Sequence, residues 1–65
     1  MSAGERFQSR IVESYEQAGK WYWHVVDAHA RTDAEWVVEF GYRATEKAAE
    51  AAALAALMRV RSRHR

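Results

Sequence analysis

His24 and His29 stand five residues apart with Asp27 between them, and imidazole is the side chain most often used for acid–base work and metal ligation near neutral pH. The segment from His24 to His29 is therefore where chemistry would be sought first. The pattern does not support it. His24 falls on a strand and His29 in the loop that follows, and no cysteine or cluster of carboxylates completes a ligand set. Asp27-x-His29 at a strand end reads as a solvated pair rather than an acid–base dyad. The chain has no G-x-S-x-G elbow, no glycine-rich phosphate loop and no cysteine nucleophile. A two-layer domain of 65 residues also lacks the depth for an enclosed ligand cleft. These features argue against an enzyme, and no metal, cofactor or small-molecule substrate is expected.

The elements that hold these residues are read from periodicity. Phe7, Ile11 and Tyr15 alternate with polar residues and give a first strand over about 6–16. A three-residue loop with Gly19 in the left-handed region follows, setting Glu16 opposite Lys20, Tyr15 opposite Trp21 and Ile11 opposite Val25. The second strand covers about 20–28, with Trp21, Trp23 and Val25 on the side of Ile11. The third, over about 35–42, alternates Trp36, Val38, Phe40 and Tyr42 against Glu35, Val37 and Glu39. Its aromatic side is expected to join Trp21 and Trp23, forming one core. Thr45 is a good N-cap, Glu46 suits the first turn, and Ala53, Leu54, Leu57, Met58 and Val60 mark the buried stripe of a helix over about 46–61. Trp23 is expected beneath it, against Leu54 or Leu57. The fold class is α+β: a three-stranded antiparallel meander with one C-terminal helix on one face, in the order β-β-β-α, as a single domain over residues 1–65.

Composition narrows the partners. The net charge of +1 favours no class of ligand, but the chain ends in MRVRSRHR, a basic tail over 61–65 that complements the helix macrodipole or contacts phosphate. No run is long and apolar enough for a membrane span, and MSAGERFQ has no signal-peptide character, so a cytoplasmic location and no membrane partner are expected. Without cysteines, so short a chain must rely on packing or on oligomerisation for stability.

The run GKWYWHVVDA, followed after a third strand by GYRATEKAAEAA, resembles the YegP-like family of small β3α domains over about Tyr15 to Ala52. It is also similar to the arm-type DNA-binding domain of phage tyrosine recombinases, in which a three-stranded sheet enters a DNA groove and a helix opening near a Thr-x-x-x-Ala run packs behind; the matching run here is Thr45 to Ala49. The chain departs from the second pattern in placing Glu35 and Glu39 on the expected DNA-facing side and in having no strand rich in lysine or arginine.

The sheet face away from the helix is thus the candidate interface. Val12, Tyr22, His24, Val26 and Val37 are expected there with nothing to cover them, rimmed by Arg10, Glu35 and Glu39. The function expected from this surface is stoichiometric protein binding or occlusion, through a protein partner or self-association as a homodimer, of the kind a phage or mobile-element accessory protein or inhibitor of a host assembly uses. The alternative is a nucleic-acid-binding module, with Arg10, Tyr22, His24 and Arg31 toward the bases and Arg59, Arg61, Arg63 and Arg65 on the backbone.

Overall fold

The computed structural model describes residues 6–14 and 19–64. Three strands, β1 (Phe7–Glu13), β2 (Trp21–Asp27) and β3 (Val37–Arg43), form an antiparallel sheet in the order β1-β2-β3. A single turn of helix, α1 (Asp33–Trp36), joins β2 to β3, and α2 (Glu46–Arg63) packs across one face of the sheet. The α+β class and the meander with its C-terminal helix are as the periodicities require. No helix among the described residues is long and apolar enough to cross a membrane.

The first hairpin is displaced by two residues from the expected register. Ile11 pairs with Trp23 rather than Val25, and Trp21 faces Glu13. The expected partners Tyr15 and Glu16 lie outside the described residues. The backbone N–H of Ser14 donates to Lys20 O (3.0 Å), closing the hairpin across residues 15–19 instead of a three-residue loop; Gly19 does take positive φ (81°). A shift of two leaves every side chain on its expected face. At the far end the Arg6 guanidinium donates to both carboxylate oxygens of Asp27 (Nε to Oδ1, 2.9 Å; Nη2 to Oδ2, 3.0 Å). The fork-on-fork geometry ties the start of β1 to the end of β2.

The third strand corrects the expectation more deeply. Val26 pairs with Val37 and Val25 with Glu39, so one residue, Val38, is extra. This bulge turns both Val38 and Glu39 toward α2: Val38 packs on the core, while Glu39 accepts from Arg59 Nη2 (2.8 Å) and Arg63 Nη2 (3.1 Å) of the helix. Alternation beyond the bulge is inverted. Gly41 and Arg43 fall on the helix side, opposite Trp23 and Trp21, and Phe40 and Tyr42 fall on the open face beside His24 and Tyr22. Strand β3 also begins at Val37 rather than near 35, because residues 33–36 are helical. Trp36 therefore ends α1 as an exposed residue and takes no part in the core. Glu35, expected on the sheet, instead accepts a hydrogen bond from the backbone N–H of Arg31 (3.1 Å) in the first turn of α1.

The helix is thin on its inner side. Its buried positions are Ala49, Ala53, Ala56, Leu57 and Val60, spaced to form one stripe against Phe7, Trp23 and Val25. Leu54 and Met58, expected in that stripe, lie roughly a quarter-turn or more from its centre and are exposed. Thr45 caps the N-terminus, its Oγ1 accepting from the N–H of Ala48 (3.1 Å). The helix runs to Arg63, two residues beyond the expected end, carrying Arg61 and Arg63 of the expected tail in its last turn.

Gly41 is fixed by the ring opposite it. A Cβ at this position would lie 2.8 Å from Cζ2 and Nε1 of the buried Trp23 indole. Gly41→Ala is therefore expected to destabilise the fold by about 1–3 kcal/mol, the usual range for overpacking a well-filled core. Urea denaturation of the purified variant measures it, and an unchanged midpoint would show that the indole can leave that position.

The acid limb of stability tests the Arg6–Asp27 pair. The Arg6 hydrogen bonds, with a smaller contribution from the N–H of His29 (2.8 Å), hold the Asp27 carboxyl down at about 2. Its folded pKa is below the ordinary aspartate value of about 3.9, so the pair's contribution is present above that value and lost as pH falls through about 2. Asp27→Asn should be less stable than the parent near neutral pH, and the difference should close between about pH 4 and pH 2. Urea midpoints across that range decide it; a gap that persists at the acid end would refute the assignment.

Candidate functional site

Two cross-strand rows build the open face. Val12, Tyr22 and Tyr42 form one row across β1, β2 and β3, and Arg10, His24 and Phe40 form the next. Residues aligned this way on one face are near neighbours, so the rings meet. The Tyr22 ring lies 5.2 Å from His24 in an edge-on arrangement (76°), 5.3 Å from Tyr42 and 6.3 Å from Phe40, centroid to centroid. These separations are those of favourable aromatic pairs. Tyr22 is half-buried at the centre of the group, while Phe40 is 64% exposed and Val12 51% exposed at its margins. A shallow trough of about 680 Å³ runs along the face, lined by Val12, Glu13, Ser14, Tyr22, Val37, Phe40 and Tyr42.

The face is poor in charge. Of the described strand side chains that alternate onto it, Arg10 alone is permanently ionised, and the Glu13 carboxylate at the end of β1 lines the trough as well. Burial, with a smaller contribution from the Arg10 cation, lowers the His24 pKa and favours the neutral imidazole. Burial, then the neighbouring Tyr42, raises that of Tyr22, so its phenol stays a neutral donor and acceptor.

Val12, Tyr22, His24 and Val37 are brought together as the sequence predicts, and Val26 is not available. It is 1% exposed, at the end of the sheet where α1 rests on β2 and β3. The missing length of strand is a turn of helix, which lies against that end of β2 and β3. The rim is also different: Glu39 points the other way, toward Arg59 and Arg63, and Glu35 belongs to α1.

The alternative nucleic-acid set is divided between surfaces. Arg10, Tyr22 and His24 share the open face, Arg31 lies exposed just before α1, and Arg59, Arg61 and Arg63 sit on α2 across the sheet, two of them bonded to Glu39. Arg65 lies outside the described residues. Sequence reasoning missed Phe40 and Tyr42. The available signal was Gly41, since a lone glycine inside a strand often marks a bulge or a close approach of another group.

His24, Asp27 and His29 do not converge. Asp27 is bonded to Arg6 and to the backbone of His29, and the His24 ring lies against Tyr22. Among the described residues no group of three or more histidine, aspartate or glutamate side chains is placed to hold a metal ion. No family model matches the sequence, and no curated protein or solved structure matches it at significance.

The electrostatics of the face can be measured through His24. Its titration midpoint, followed by NMR, should fall below the ordinary value of about 6.5, and Arg10→Ala should raise it only part of the way, since burial is the larger cause. A midpoint at or above 6.5 would mean that the ring is solvated and the aromatic group is open to water.

Proposed function

We propose that the chain is a small non-catalytic protein-binding module that acts by stoichiometric binding or occlusion through its open sheet face. The observation that carries this reading is the exposed Phe40 ring beside a half-buried Tyr22, in a trough that Val12 and Val37 extend and that the Glu13 carboxylate borders. Aromatic residues are enriched at the centres of protein interfaces and charged residues are depleted there. Tyr22 is already held by three neighbouring rings, so little rotamer freedom remains for a partner to remove, and its hydroxyl can bond at the edge of the contact. The resemblance of the run Thr45 to Ala49 to a recombinase domain is what supports reading the chain further as a cytoplasmic accessory protein of a phage or mobile element that blocks a surface on a larger assembly.

A nucleic-acid reading is favoured by a different observation. With Glu39 turned to the helix and Glu35 in α1, the strands present Phe40, Tyr42, Tyr22 and Arg10 without an opposing carboxylate in either cross-strand row. Such a surface can stack bases, as single-strand binders do. It ranks second because binding of that kind needs several cations along the backbone path, and the arginines of α2 lie on the other side of the sheet.

Phe40→Ala separates the two readings and tests the first. Stability should change little, the ring being largely in water already, whereas affinity for a protein captured by the parent chain should fall by about 2 kcal/mol, roughly thirtyfold. Lys47→Ala, on the exposed first turns of α2, should leave it unaltered. The same variants are titrated with a mixed-sequence single-stranded oligonucleotide at low and high salt. Binding by the parent that weakens steeply with salt and is lost in Phe40→Ala would replace the protein reading with the nucleic-acid one.

A further inference from the structure

The outer face of α2 presents an apolar strip that no described residue covers. Ala51, Leu54, Ala55 and Met58 are all exposed, Leu54 at 56% and Met58 at 62%, and they recur at the three- and four-residue spacing of a helix-packing seam. A groove of about 640 Å³ runs along the C-terminal half of this surface, beside Ala55, Met58 and Ser62. Charge changes sign along the helix. Glu46, Lys47 and Glu50 leave the first half net acidic, and Arg59, Arg61 and Arg63 make the last turns basic. The helix macrodipole accounts for acidic residues in the first turn and cations in the last. It does not account for Glu50, which lies beyond the first turn, or for two large apolar side chains standing in water between the charged ends.

We infer that the outer face of α2 docks on the same face of a second copy, as an antiparallel helix pair about a two-fold axis near Leu54 and Ala55. Antiparallel packing sets the acidic half of each helix beside the basic half of the other, whereas parallel packing would oppose like charges. About that axis Ala51 comes level with Met58 of the second copy, so a small residue faces each methionine. Glu50, Leu54 and Arg61 lie along one edge of the strip, and a two-fold brings like edges together. Glu50 of each copy thus approaches Arg61 of the other.

The surface involved sets the strength. An 18-residue helix is about 27 Å long, and a single pair of this length buries on the order of 600–800 Å² in total, below the roughly 1,000 Å² of a stable interface. The dimer is accordingly reversible and depends on concentration. In it the two sheet faces point away from each other, so two copies of the trough would be displayed to partners at once, and avidity would offset a modest affinity for each. The inference stands on α2 and does not require the sheet face to bind anything.

Sedimentation velocity on the full chain, from about 10 μM to 1 mM, tests it, the upper end reaching the affinities of weak, reversible pairs. The parent should move toward twice the monomer mass as concentration rises. Met58→Glu should abolish the shift. Glu50→Arg and Arg61→Glu should each weaken association by about tenfold or more, and the double variant, with its charges exchanged, should return to within about threefold of the parent. Phe40→Ala should associate as the parent does, and melting curves should show every variant folded. A parent that stays monomeric to the top of the range overturns the proposal. So does self-association that survives Met58→Glu, or that is lost in Phe40→Ala, or a charge exchange that fails to restore it.

Discussion

Trp23 lying on Gly41 decides how the other large residues are distributed. A β-carbon at position 41 would come within 2.8 Å of the ring, so the indole can lie flat only where β3 offers bare backbone. Gly41 must then be on the helix side, and with it the odd-numbered neighbours Glu39 and Arg43. Phe40 and Tyr42 are left for the other side. The indole also buries its Nε1, which has no hydrogen-bond acceptor among the described residues. Desolvating that group costs about 1–3 kcal/mol, which the burial of the ring surface has to offset. A bulge is the remaining requirement. Val38 packs on the core while Gly41, three positions later, lies on the same side, and strict alternation cannot satisfy both.

The same bulge brings a carboxylate to the helix. Glu39 bonds Arg59 and Arg63 at the sheet's edge, with Arg59 the larger cause of its lowered pKa. The cations of the last turns are thereby partly committed to holding α2 on β3. An arginine-rich helix end can look like a phosphate grip in a sequence and serve as an internal strap in the fold. The distinction rests on where a single glutamate points, and the strand's extra residue settles that.

Much of the fold was legible because it depended on local signals that do not interfere. Thr45 begins the helix through its own hydroxyl, and the parity of β1 and β2 survives a two-residue slip, so Val12, Tyr22 and His24 were placed on the correct face even with the loop length wrong. The third strand was not legible by the same means. Trp36, Val38, Phe40 and Tyr42 alternate without a break, and periodicity has no way to register a residue that belongs to the strand but not to the ladder. Other signs were present. Thr32-Asp33-Ala34-Glu35 has the spacing of a helix-opening capping box, which removes Trp36 from the strand, and Gly41 disrupts an otherwise β-branched and aromatic run. The burial of Val26 is illegible for the same reason, because alternation carries the third strand back to about 35 and gives no sign of the helical turn beside it.

The aromatic open face follows from the dimensions of the core. The inner stripe of α2 is mostly alanine, so the helix lies close to the sheet, and Phe7, Trp23, Val25, Leu57 and Val60 fill the space between them. Had β3 kept its parity through Val38, Phe40 and Tyr42 would have entered that layer opposite Trp23 and Trp21, in the space that Gly41 and the edge-lying Arg43 now leave open. Two more rings there would force the helix outward and strip the alanines of their contacts. A thin helix and a bulged third strand are therefore one solution, and its consequence is that the rings of β3 line the face that no described residue covers at its centre.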